Sequence, residues 1–163
     1  MSSEKNPIFM LDIINHLCDY YPGLSFIWVG DGDMRNDIVQ YIKEKRISEH
    51  VHLLGTQEHV AKILACCEYF LCPSQREGFG IVFIEAQAVV LKCFASDQVP
   101  NVVDCGGVSF IELEKSAEEW AAEIHRQIEK YPHTKIDGKL IGRYDINETV
   151  KALSDVYERL AES

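Results

Sequence analysis

Basic charge is what this sequence most lacks: 16 Lys and Arg stand against 26 Asp and Glu, a formal net charge of -10. Nucleic-acid surfaces need clustered Lys and Arg, so that class of partner is excluded. No apolar run reaches the roughly 18 residues of a membrane span, and the N-terminus shows no signal-peptide pattern. The cysteines, at positions 18, 66, 67, 72, 93 and 105, include no C-x-x-C pair, which argues against a zinc site. Most fall on apolar faces of expected helices and strands, where small buried thiols sit in a reducing cytosol. His50 and His52 would share one face of a strand, but no third metal ligand accompanies them, and they read as surface or half-buried histidines. No repeat or low-complexity segment interrupts the 163 residues, which are one domain's worth and enough to bury a core.

What is present is an alternation of helical and strand patterns. Asn6-Pro7 reads as an N-cap followed by proline at the first helical position, and Met10, Ile13, Ile14, Leu17 and Tyr21 then form one stripe. Phe26 to Val29 reads as a strand apolar on both faces. Gly30-Asp31-Gly32 turns the chain, Asp33 is placed to cap, and Met34, Ile38, Tyr41 and Ile42 mark the next helix. Val51 to Leu54 is a second strand, and it leads through Gly55-Thr56 to a helix marked by Val60, Ile63, Leu64 and Cys67. Further strands are expected at Tyr69 to Cys72, about Cys93 to Ser96, and Val108 to Ile111. Ser116-Ala117-Glu118-Glu119 is a capping box before the stripe Trp120, Ile124, Ile128, Tyr131. A polar joint spans Pro132 to Gly142, and Val150, Leu153, Tyr157 and Leu160 mark a last helix. The pattern predicts an α/β fold, a three-layer αβα sandwich around a Rossmann-like parallel sheet with its ligand loops on one edge.

The chemically informative stretch is PSQREGFGIVFIEAQ, Pro73 to Gln87. A strand ends at Pro73, a polar loop carries Arg76 and Glu77, and Gly78-Phe79-Gly80 leads into a helix through Ile81 and Val82. Glycines admit backbone N–H groups close to a ligand, and the unpaired amides of a helix start favour negative charge. Glu77 sits at the mouth. Glu85, about five residues into the helix at roughly 1.5 Å per residue, lies about 7 Å deeper. A diphosphate flanked by hydroxyl groups, as in a nucleotide sugar, suits such a site.

Glu77 and Glu85 with seven residues between them, EGFG in front and EAQA behind, resemble the signature of retaining glycosyltransferases of the GT-B fold, glycosyltransferase family 4, group 1. The likeness extends through VGDG at Val29 to Gly32, HLLGT at His52 to Thr56 and SDQVPNVV at Ser96 to Val103, and is closest to bacterial exopolysaccharide and capsule enzymes. It implies one half of a GT-B fold: residues 1–163 as a single C-terminal donor-binding domain, with the N-terminal acceptor domain absent. It gives Glu77 contact with the donor sugar, Glu85 the ribose, and Lys5 the diphosphate, beside an arginine further upstream. Gly55, Thr56 and Gln57 would hold the nucleobase, and Gly30 would border the cleft with the amides of Gly78, Phe79, Gly80, Ile81 and Val82. The expected donor is a nucleotide sugar, UDP-linked, with no cofactor and no divalent metal. The expected setting is cytoplasmic, with membrane contact only through regions outside this chain.

The family usually continues this helix with glycine and Leu-Pro, where Val90-Leu91-Lys92 stand here. Val90 is therefore expected to need a different helix end from the left-handed glycine. Two other readings stay open. One is a truncated or degenerate homologue that binds only a nucleotide or a partner protein. The other is a nucleotide-sugar epimerase, which the spacing of Glu77 and Glu85 fits less well.

Overall fold

The structure is a computed structural model, and it describes residues 2–161. A 3-10 turn at Ser3–Lys5 leads into helix α1 (Pro7–Tyr20). Asn6 does not act as the expected side-chain cap. It takes a left-handed conformation (φ 54°, ψ 53°) that ends the 3-10 turn, while its carbonyl accepts from the Met10 amide at 3.0 Å. Pro7 has no N–H to lose at that point, so the helix starts without a capping side chain.

Strand β1 (Phe26–Val29) and strand β2 (Val51–Gly55) pair in parallel, with Phe26 opposite Val51 and a register shift between Trp28 and Val29. Helix α2 (Arg35–Glu44) connects them and buries Ile38 and Ile42. Its N-cap position is Met34, without a side-chain cap, so Asp33 does not serve as expected. Helix α3 (Val60–Leu64) precedes strand β3 (Tyr69–Cys72). Helix α4 (Ile81–Ala88), strand β4 (Lys92–Ser96) and strand β5 (Val108–Ile111) follow. β3, β4 and β5 are parallel neighbours in that order, with Leu71 opposite Phe94 and Ala95 opposite Phe110.

The architecture is the expected αβα sandwich with one difference. Among the described residues its strands form two hydrogen-bonded groups, β1–β2 and β3–β4–β5, rather than one continuous sheet. Every residue of β4 is buried, and alternate residues serve opposite cores. Phe94 joins the core built with α1, α2 and helix α5 (Ala117–Lys130), where Leu11, Ile13, Trp120 and Ala121 are fully enclosed. Cys93 and Ala95 face the second core, built with α3 and α4 around Phe83. The capping box at Ser116 and Glu119 forms as read, and Trp120 donates its indole N–H to the Glu112 carbonyl at 3.0 Å.

The joint at 132–142 is not wholly irregular: helix α6 (Gly138–Gly142) forms there, with Asp137 accepting from the Lys139 amide at 2.8 Å. Five residues with two glycines carry no readable period, so the pattern could not reveal it. Helix α7 (Ile146–Ala161) forms where its stripe predicts, but Val150, Leu153, Tyr157 and Leu160 are exposed. The cysteines are all free thiols. Cys72, Cys93 and Cys105 are buried, whereas Cys66 is exposed, against the general expectation of burial.

The end of α4 corrects the expectation for Val90. Leu91 donates to the Ala86 carbonyl at 3.0 Å and Val90 to that of Gln87 at 2.9 Å, the paired bonds of a Schellman motif. Val90 itself takes the left-handed position (φ 66°), normally a glycine's. For an L-residue that conformation costs roughly 1–2 kcal/mol, and branching at Cβ worsens it. Val90 is also 59% exposed, so little packing offsets the strain. Val90→Gly should therefore raise unfolding stability by about 1 kcal/mol in urea titration; a loss of stability would contradict the left-handed helix end.

Cysteine reactivity gives a second check. Burial, with the Asp104 carboxylate nearby, pushes the Cys93 thiol up to about 12. The folded form then holds its proton more tightly than the unfolded form, so this contribution is intact below the ordinary thiol range and lost as pH rises above it. Iodoacetamide at pH 8 should label Cys66 in the native protein and spare Cys93 by peptide mass spectrometry. Stability measured from pH 9 upward should decline.

Candidate donor site at the strand ends

The loop after β3 is fixed from below. The buried Ser74 presents its carbonyl to the Ser96 hydroxyl at 2.5 Å, tying the ends of β3 and β4, and its own hydroxyl lies 3.0 Å from the Cys72 sulfur. Gln75 donates its amide to the Glu4 carbonyl at 2.8 Å. That bond brings the segment before α1 against the loop and sets Lys5 beside Glu77. The Lys5 ammonium and the Glu77 carboxylate are in direct contact, and the Ser74 hydroxyl lies 3.4 Å from the same carboxylate oxygen. The Glu77 side chain is only 12% exposed and that of Lys5 40%, so the carboxylate is the enclosed partner.

Gly80 stands at the N-cap of α4 in the left-handed region (φ 81°). A Cβ there would lie 3.0 Å from the Phe83 ring and 3.1 Å from the Glu77 side chain, so both conformation and space require glycine. No side chain caps α4. The first amides of a helix lack intrahelical partners, which makes this end receptive to an anion.

Lys5, Gly30, Thr56, Gln57, Val82 and Glu85 line one cavity. Glu77 joins this group through Lys5. Glu85 is exposed and also borders a smaller hollow beside Glu58 and Lys62. The Gly30 amide donates to the Gly55 carbonyl at 2.8 Å, so the two turns after β1 and β2 are tied together. Gln57 bonds back to the Leu54 carbonyl at 2.8 Å. Gly55, Gly78, Phe79, Gly80 and Ile81 are not among the cavity's lining residues. Ile81 is 66% exposed, and the Phe79 ring stands edge-on to Tyr144, whose hydroxyl donates to the Val102 carbonyl at 2.7 Å. His50 accepts a structural role instead, with Nδ1 2.9 Å from the Leu24 carbonyl. Among the described residues no group of three or more His, Cys, Asp or Glu is arranged to hold a metal ion.

Sequence reasoning assigned no role to Gln87, which organises the site's base. Its Nε2 donates to the carbonyls of Phe83 at 2.9 Å and Val103 at 2.7 Å. Its Oε1 accepts from the amides of Cys105 at 2.8 Å and Gly107 at 3.1 Å. The available signal was its place four residues after Phe83, a polar side chain on the buried stripe of α4. Ser74 and Ser96 carried no comparable signal.

The description "Glycosyl transferases group 1" matches residues 1–130. EpsF of Bacillus subtilis (strain 168), which is named as a glycosyltransferase, is 29% identical over 158 residues, covering 94% of this chain and 41% of that protein. The capsular polysaccharide biosynthesis glycosyltransferase CapH of Staphylococcus aureus is 27% identical over 158 residues, covering 94% of this chain and 44% of that protein. This chain thus spans under half the length of either relative. Among solved structures, the pneumococcal O-GlcNAc transferase GtfA in complex with UDP and GlcNAc superposes with a TM-score of 0.82 at 18% identity, over 99% of this chain and 34% of that one. At that identity the likeness concerns the fold, that of one GT-B half.

Replacing Gln87 by Met keeps roughly the side chain's volume but strips the Val103 carbonyl and the Cys105 and Gly107 amides of their side-chain partner, while the Phe83 carbonyl keeps its helical bond. Leaving buried polar groups unpaired costs about 1–3 kcal/mol each, moderated by relaxation. Gln87→Met should therefore lower unfolding stability by about 3 kcal/mol or more in urea titration; a cost under about 1 kcal/mol would show that the network does not hold α4 to the β4–β5 connection.

Proposed function

The chain belongs to the glycosyl transferases group 1 family, and from that premise we propose that it is the donor-nucleotide-binding half of a retaining glycosyltransferase. The donor is a hexose-type sugar carried on UDP, and the acceptor is a glycan or lipid-linked glycan held by a second, N-terminal domain of a longer protein. The observation that supports this most is the gathering of Lys5, Gly30, Thr56, Gln57, Val82 and Glu85 around one cavity, with Glu77 in contact with Lys5.

Each group has a physical task. Departure of a nucleoside diphosphate builds charge on phosphate oxygens, which Lys5 and the amide end of α4 stabilise. The backbone of Gly55, Thr56 and Gln57 receives the nucleobase, and Glu85 accepts hydrogen bonds from the ribose hydroxyls. Glu77 accepts from the sugar hydroxyls and holds Lys5 in place before the donor arrives. This arrangement places the positive charge in protein groups and calls on no divalent metal. Chemistry requires the acceptor hydroxyl to be clamped against the donor, so the isolated domain binds UDP weakly and transfers nothing.

The test is a titration with UDP, GDP and ADP, following amide chemical shifts. UDP should bind most tightly, with the largest shifts at Gly55, Glu77 and Glu85. Lys5→Ala should weaken UDP about tenfold while leaving uridine unchanged, since only the diphosphate meets the ammonium, and Glu85→Ala should weaken both. Absence of shifts in all three regions would overturn the donor reading.

A further inference from the structure

The amides of Gly78, Phe79, Gly80, Ile81 and Val82 donate to no backbone carbonyl among the described residues, and no side chain caps the helix they lead into. Nor do the carbonyls of Arg76 to Phe79 accept a backbone bond there. A Cβ built at Gly78 would meet nothing within 4 Å, so packing does not hold that residue either. A loop with two glycines and no backbone bonds is free to move unless its side chains are held. Two side chains do this. Glu77 is held from within by Lys5 and Ser74. Phe79, which is otherwise exposed, is met by the ring of Tyr144, with centroids 6.1 Å apart and planes at 63°.

Tyr144 is itself fixed from both sides. Its hydroxyl bonds to Val102, in the 3-10 turn Asn101–Val103 that follows β4, and its amide donates to the Ile141 carbonyl at 3.1 Å. The segment that carries it is well seated. Ile136, Leu140, Ile141 and Tyr144 pack on the second core, and the Asp137 amide donates to the Cys105 carbonyl at 2.7 Å. A Cβ at Gly107 would stand only 2.5 Å from the Ile136 side chain, so the β4–β5 connection is shaped to receive this segment. Tyr144 therefore joins the loop after β3 to the loop after β4. It lies beyond residues 1–130, the part that matches the family description.

We propose that Tyr144 is a positioning residue of the donor site: its ring holds Phe79, and through Phe79 the unpaired amides that open α4, while its hydroxyl anchors that hold to the loop after β4. Edge-on ring pairs are directional, so the contact sets the loop's orientation as well as its distance. Amides already in place spare a diphosphate the cost of ordering them. The hold on the loop follows from the unliganded geometry, and its effect on binding rests on the donor reading above.

The test compares the chain as it is with Tyr144→Leu, Tyr144→Phe, Phe79→Leu and the double variant carrying both leucines. Without nucleotide, backbone amide order parameters at Gly78 to Gly80 should be about 0.85 in the unchanged chain and fall below about 0.6 in Tyr144→Leu, with residues 84–88 unaffected. Tyr144→Leu should weaken UDP roughly five- to tenfold, the worth of one ring pair, and leave uridine unchanged, since only the diphosphate meets these amides. Tyr144→Phe keeps the ring and loses one solvent-accessible hydrogen bond, so it should keep the loop ordered and UDP within about twofold. In the Phe79→Leu background, Tyr144→Leu should add nothing further. Full loop order in Tyr144→Leu would overturn the proposal, as would additive losses in the double variant. Should Tyr144→Leu free the whole segment, seen as rapid exchange of the Asp137 amide, Phe79→Leu decides: an ordered loop in that variant refutes the ring contact. If the unchanged chain binds no UDP, the donor reading fails, and the order parameters still decide whether Tyr144 holds the loop.

Discussion

Two-sided burial of β4 is the constraint from which the rest of the domain follows. A strand enclosed on both faces needs a neighbour at each edge to pair its peptide groups and a helix layer on each side to cover its side chains. Phe94 binds it to the α1–α5 layer, and Cys93 and Ala95 to the α3–α4 layer. The loops that leave β3 and β4 at their C-terminal ends are then drawn together, and the short bond from Ser96 to the Ser74 carbonyl fixes them. Gln87 repeats this anchoring from the helix side, holding α4 to the β4–β5 connection through four hydrogen bonds. The glycine loop and the amide end of α4 thus rest on a base that has little freedom to shift.

How much of this was legible depends on how local the signal is. The strands and the longer helices were readable because apolar periodicity and turn residues lie within one segment, and the capping box at Ser116 formed as written. Caps that depend on the approaching chain were not: Asn6 and Asp33 have capping side chains, yet the path into each helix turns them elsewhere. Val90 shows the same limit, since the demand for a Schellman end came from the return of Leu91 into the core and overrode the residue's own preference. The acidic pair and Lys5 were visible as a spacing and a resemblance. Their connection through Ser74 and the Glu4–Gln75 bond was not, because it joins residues about 70 positions apart.

The contact between Lys5 and Glu77 bears on how an acidic chain can attract an acidic ligand. With a net charge of -10 the domain as a whole offers a diphosphate no long-range attraction. On the donor reading proposed above, binding comes from groups placed at short range, where a single ammonium and oriented amides outweigh the distant carboxylates that salt screens. The enclosed carboxylate of Glu77 holds that ammonium at the mouth, where a long exposed side chain would otherwise sample many positions. An anion arriving at Lys5 must share it with Glu77, which tempers affinity while preserving placement.

The same cavity ties placement to the integrity of the sheet. Gly30, Thr56 and Gln57 belong to the β1–β2 group, whereas Val82 and Glu85 belong to the β3–β4–β5 group. No hydrogen-bonded strand pair joins these groups among the described residues, so their separation is set by the helices that bridge them. Chief among these is the packing of α1 on α5, where Phe9 meets Trp120 edge-on at 5.9 Å. Side-chain packing holds two layers together, but it fixes their spacing less firmly than a ladder of backbone bonds at about 4.8 Å. A ligand that spans both groups therefore gains affinity from whatever locks them into one sheet, because less ordering is left for binding to supply.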